Sequence, residues 1–279
     1  MKRGMEDHFN WIFVMFAGAI FLAFLIGFGA KYIALKETGH NAEIARGVDL
    51  LFSGFGELTL YKNFSLEVPF TLTFTCDEFN VNHDVSMPLD EIVFAPSELN
   101  SDSIFVWAQS WNYPFDSGTF IYLINKDTTY TLYGDAIRLL ELVPLPLRSQ
   151  FVERDGDVAV FFGAPNLNVG GNIISIEDGP SGTVTFYGSE VKTSYHYGDL
   201  FILGAIFSQD YTRYDCNKEE AISRWNHLRE IYFKKSGMLA NFCSYQGIQT
   251  YLISPLDIPL VVKHLEEENS RLASCEVVF

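Results

Sequence analysis

Twenty consecutive residues without a charge, Trp11 to Ala30 (WIFVMFAGAIFLAFLIGFGA), constrain this chain more than any other stretch. At about 1.5 Å per residue, a helix of that length covers a hydrocarbon core of about 30 Å. Lys2 and Arg3 precede the segment, and Lys31 and Lys36 follow it. No small-residue A-x-A cleavage site comes directly after it, and it exceeds the usual apolar core of a secretory signal, so it is expected to remain as an anchor. The rest of the chain then reads as a domain hung from a membrane.

Within the anchor, Ala19, Ala23 and Gly27 recur every four residues and share one helix face. Small residues at that spacing let two membrane helices approach closely, which makes self-association or contact with a partner helix an expectation. From His40 to Phe55, the residues Ile44, Val48, Leu51, Phe52 and Phe55 form one apolar stripe at helical spacing. No proline separates this stripe from the anchor, although Gly39 permits a bend. The expected layout is a cytoplasmic tail (1–10), a transmembrane anchor (11–30) and a juxtamembrane amphipathic helix (31–56). A mixed β-sheet domain with a short helix (57–208) and a C-terminal helical hairpin (209–279) complete it.

With 35 acidic and 19 basic residues, the chain carries a formal charge of −16. Such a surface repels phosphate backbones and gains nothing from anionic headgroups, which argues against nucleic acid as a partner. The positive charges flanking the anchor are nearly balanced, so they barely decide its orientation. Two further features favour a cytoplasmic N-terminus and an extracytoplasmic main domain at the cell membrane. One is the sequon Asn63-Phe64-Ser65, with Asn63 as a glycosylation candidate; the other is four cysteines with no CxxC pair among them. Zinc sites usually show close cysteine pairs, so no metal is expected.

After the stripe, the pattern changes to short apolar or alternating runs broken by Pro, Asn and Asp. Strands are predicted at Phe70–Cys76, Ile92–Ala95, Ser103–Gln109, Thr119–Asn125 and Thr129–Tyr133. A short helix at Asp135–Leu142, stopped by Pro144 and Pro146, leads to a strand at Asp157–Gly163. Asn172–Ile176 and Thr183–Tyr187 read as a hairpin. The run Leu200–Ser208 is too short to span a bilayer and is equally compatible with a buried strand or a buried helix. Asn217 is a plausible N-cap for a long helix, and a second helix over Pro259–Ser274 should pack antiparallel to it. That geometry places Cys275 near Cys216 and predicts a bridge between them, leaving Cys76 and Cys243.

The chain contains no Walker A, GxGxxG, GxSxG or HExxH sequence. His196, with Asp199 three residues on, is the one histidine whose neighbours could build an acid-base site. The segment Trp107, Trp111, Tyr113 and Phe115 reads either as core or as an aromatic surface for a partner. No cofactor is implied.

Lys2-Arg3-Gly4, a short polar step and then an apolar helix resemble the N-terminus of type IV pilin-like proteins and the archaeal class III signal peptide. The resemblance implies cleavage after Gly4 and a helix that packs in a filament or pseudopilus. The fifth position after Gly4 is Phe9, where pilin-like subunits usually carry Glu. Together these features predict an α+β or α/β protein: a single-pass envelope subunit acting through contacts, with a membrane-tethered hydrolase near His196 and Asp199 as the alternative.

Overall fold

The computed structural model describes residues 3–54, 61–240, 244–254, 258–272 and 278–279. One helix, α1 (Arg3–Gly54), runs for 52 residues, or about 78 Å at the usual helical rise. It passes through Gly39 without interruption. Its segment Met15–Tyr32 is long and apolar enough to cross a membrane. The second half carries the stripe read from the sequence: Ile44, Ala45, Val48, Leu51 and Phe52 are buried, while Phe55 lies outside the described residues.

That stripe packs on a six-stranded sheet A built from β1 (Tyr61–Phe74), β2 (Glu78–Val81), β3 (Val85–Pro88), β4 (Ile92–Phe94), β5 (Glu98–Asn112) and β6 (Asp116–Asn125), in the order β3-β2-β1-β5-β6-β4. All pairings are antiparallel except β4 with β6. Alternation divides the side chains between two cores, as strand geometry requires. Val93, Val106, Ile121 and Leu123 face α1, whereas Phe94, Trp107, Phe120 and Tyr122 face the opposite way.

Sheet B contains β7 (Tyr130–Tyr133), β8 (Val158–Phe162), β9 (Asn172–Ile176), β10 (Gly182–Tyr187) and β11 (Val191–His196), ordered β11-β10-β9-β8-β7. Strands β7, β8 and β9 are parallel, with α2 (Ile137–Leu142) in the first crossover, and β9 to β11 are antiparallel. The undecided run becomes α3 (Asp199–Ser208), a helix buried from Phe201 to Ser208. Because it is apolar all round, its sequence has no periodicity to read. It touches both sheets. Phe207 meets Trp107 and Tyr122 of sheet A and Tyr130 of sheet B, and the Tyr122 hydroxyl donates to the Leu200 carbonyl at 2.9 Å. At Gly204 a Cβ would sit 2.7 Å from the Phe94 ring, so only glycine allows this approach.

Three helices follow: α4 (Tyr211–Leu239), α5 (Gln246–Leu252) and α6 (Ile258–Arg271). They share one core with both sheets through residues such as Tyr214, Trp225, Ile248 and Val261. The sequence predicted two antiparallel helices joined by a loop; instead α5 occupies that loop and contacts both neighbours, burying Ile248 and Leu252 one turn apart. Helix α4 also starts earlier than expected. Asp210 caps it, accepting from the Thr212 and Arg213 amides at 2.6 and 3.4 Å, while Asn217 lies inside and donates to the Val93 carbonyl at 2.8 Å.

The earlier start corrects the disulfide. Cys216 sits in the second turn of α4 and is bonded to Cys76, just past β1, with Cα atoms 5.8 Å apart. The expected partner, Cys275, lies outside the described residues together with Cys243. The misreading came from placing Cys216 before the helix rather than on the face that α4 turns toward sheet A.

Candidate functional site

Helix α1 presents the largest run of apolar side chains left in solvent. Phe16, Ile20, Phe21, Phe24, Ile26 and Phe28 are each about two-thirds exposed, and Ala19, Ala23 and Gly27 lie exposed on the same length of helix. Burial of one Phe or Ile side chain is worth about 1.5–3 kcal/mol, so covering this run with another apolar surface is favoured.

The junction between this half and the domain is held by a polar clasp that the sequence did not announce. Asn82 and His83 both adopt positive φ at the tip between β2 and β3, as tight hairpin turns demand. Asn41, buried on α1, donates to Asp84 at 3.0 Å and accepts from the Asn82 amide at 2.8 Å. The Asn82 side-chain oxygen in turn accepts the Thr71 amide at 2.8 Å. One signal was available: Asn41 precedes Ile44, Ala45 and Val48 by three, four and seven residues, a polar side chain on the buried stripe.

His196 and Asp199 are not brought together in a pocket. His196 is fully buried at the end of β11, its Nε2 2.7 Å from the Glu177 carbonyl and its Nδ1 without a partner. Burial holds its pKa below the ordinary histidine value. Asp199 instead pairs with Arg138 at 3.0 Å, and Arg138 also bonds Asp178. A cavity of about 460 Å3 opens between the β9–β10 strands and the α3–α4 junction, but His196 does not line it.

A second polar cluster looks chemically richer. Lys218 donates to Ser194 at 2.8 Å and to Asp215 at 2.6 Å, and Ser194 donates to the same Asp215 oxygen at 2.6 Å. A serine nucleophile needs a neutral lysine base. Burial pushes Lys218 toward neutrality, yet the hydrogen bonds with Asp215 and Glu219 outweigh it and raise its pKa. Asp215 is likewise pushed up by burial and brought below its usual value by Lys218 and Ser194. The ion pair lies within α4, and both of its members hydrogen-bond the Ser194 hydroxyl of β11, which ties the helix to the strand. Arg213, buried with its pKa lowered to about 10, and Asn217 both donate to the Val93 carbonyl, covering the free edge of β4.

The aromatic segment is core. Trp107, Trp111 and Phe115 are buried, and Tyr113 packs half-buried beside them, so these rings are not open to a partner. Trp111 stacks on Phe120 and Phe115 on Trp225. Asn63 is exposed on β1, its side-chain oxygen accepting from Ser103 at 2.9 Å. Among the described residues, no group of three or more His, Cys, Asp or Glu side chains is arranged to hold a metal ion. No protein-family model, curated protein or solved structure matches the chain.

Proposed function

We propose that this chain is a single-pass, membrane-anchored assembly subunit whose α+β domain lies outside the cytoplasm and which works by contact. The observation that carries the reading is the division of α1: a bare apolar half long enough to span a bilayer continues, unbroken, into a half buried against sheet A. A subunit needs a rigid attachment between anchor and domain, and α1 with its Asn41 clasp supplies one. The Cys76–Cys216 bridge supports an oxidising compartment for the domain. A long N-terminal helix with its second half on a sheet also supports the pilin-like resemblance, and with it packing of α1 beside other helices through the Ala19, Ala23 and Gly27 face.

Extraction of the full chain in mild detergent, followed by crosslinking and mass spectrometry, tests this. Crosslinks from α1 to a second helix, its own or a partner's, are expected. Recovery as a lone monomer before and after crosslinking would sink the proposal.

A further inference from the structure

His196 is tucked under a turn that it helps to hold shut. The turn leaves β9 at Glu177 and enters β10 at Gly182, the residue paired with His196 across β10 and β11. The imidazole meets both ends of it. Its Nε2 lies 2.7 Å from the Glu177 carbonyl oxygen, and a Cβ on Gly182 would sit 2.9 Å from that same nitrogen. A carbonyl oxygen can only accept, so the neutral ring carries its proton on Nε2 and leaves Nδ1 as a lone pair without a partner.

The turn is also the thin wall of this enclosure. His196 and its inward neighbour Ser194 are buried, and α3 is buried from Phe201 to Ser208, whereas Glu177, Asp178 and Pro180 are exposed. Three contacts hold the turn besides the histidine. The Glu177 amide donates to the Thr183 carbonyl at 2.9 Å, the Glu177 carboxylate accepts from the Thr183 hydroxyl at 3.1 Å, and Asp178 pairs with Arg138.

Charged groups surround the ring from four elements. The turn brings Glu177 and Asp178, α2 brings Arg138, the start of α3 brings Asp199, and α4 brings Asp215 and Lys218 to Ser194, two residues back along β11. All are already engaged: Arg138 with both Asp178 and Asp199, Lys218 with Asp215, and Glu177 with Thr183. A charged imidazole in the closed structure would thus hold a second N–H, on Nδ1, with no acceptor, and an unpaired buried charge is costly. Burial outweighs the attraction of Asp199 and Asp178 and keeps the pKa of the ring below its ordinary value.

We propose that His196 is an acid-operated latch on the β9–β10 turn: the neutral ring keeps the turn closed, and the protonated ring drives it open so that Nδ1 reaches water. Lifting an exposed turn disturbs less packing than displacing α3 or separating β10 from β11. The open form takes up its proton near the ordinary value of about 6.5 and the closed form only at lower pH. Below about pH 6.5, each further unit of acid therefore favours opening by about tenfold, until the closed form titrates as well.

Hydrogen exchange of the full-length protein in lipid nanodiscs, followed from pH 7.5 to 5.5 and corrected for the intrinsic rate, tests this at the Glu177 amide. The Val160 amide, on the central strand β8, serves as the reference for global unfolding. The opening constant at Glu177 should exceed that at Val160 and rise about tenfold between pH 6.5 and 5.5. H196Q, which keeps a donor for Glu177 and cannot charge, should abolish the rise. In the wild type, ring-nitrogen NMR should show the Nε2–H tautomer at pH 7.5, with the cation appearing only as the turn opens. Opening at Glu177 no greater than at Val160, a pH-independent opening in the wild type, or an acid response that survives in H196Q each overturn the proposal. So does a charged His196 beneath a turn whose Glu177 amide stays protected, a result that does not depend on any variant folding.

Discussion

His196 is the residue whose environment makes the sharpest demand on conditions. Its Nε2 is satisfied by the Glu177 carbonyl while Nδ1 faces no acceptor, so the neutral ring fits and the cation does not. Because burial lowers the folded pKa below the unfolded value of about 6.5, the unfolded chain binds the proton first as pH falls. Stability should therefore be full above about pH 6.5 and decline below it. Urea denaturation at pH 7.5 and 5.5 checks this: H196Q, which keeps a donor for Glu177, should lose less stability over that interval than the wild type. Gly204 makes a steric demand instead. G204V drives a side chain into the Phe94 ring and should cost about 1–3 kcal/mol in the same denaturation assay. Neither role was readable from the sequence, where His196 stood beside Asp199 as a possible acid-base pair. Proximity in the chain put them on different tasks, because β11 ends between them and Asp199 opens α3.

Elements defined by a one-sided pattern were the legible ones. The stripe from Ile44 to Phe52 and the alternation of Thr183–Tyr187 carry their burial in their spacing. Helix α3 is buried on every side and was undecidable for that reason. The β2–β3 hairpin was missed because it is short and polar, with a turn that relies on positive φ at Asn82 and His83 rather than on glycine. Misplacing the N-cap of α4 by seven residues, at Asn217 instead of Asp210, was enough to choose the wrong cysteine pair. The bridge actually formed spans 140 residues between sheet A and α4, and removing a link over a long loop typically costs about 2–5 kcal/mol. C76S/C216S should show that loss in denaturation, and non-reducing peptide mapping of the wild type should recover Cys76 joined to Cys216.

At the scale of the whole molecule, the sequence disclosed the long apolar N-terminal segment and the α+β class but not that one unbroken helix joins that segment to the domain. That coupling is the property of α1 with the widest reach. A helix advances about 100° per residue, so an unbroken α1 makes azimuth a heritable quantity: under the proposed anchoring, whichever way the Ala19, Ala23 and Gly27 side points, the compass bearing of sheet B is already decided. Adding one alanine between Tyr32 and Asn41 should swing the domain by about 100°, whereas adding seven restores its bearing to within about 20° and merely lifts it. Crosslinks between domains of neighbouring subunits should accordingly vanish with one added residue and return with seven, while crosslinks within the bilayer persist in both. A hinged anchor would show no such phase. An unbroken α1 makes the chain behave like a key whose bit is cut at one end and whose bow is turned at the other.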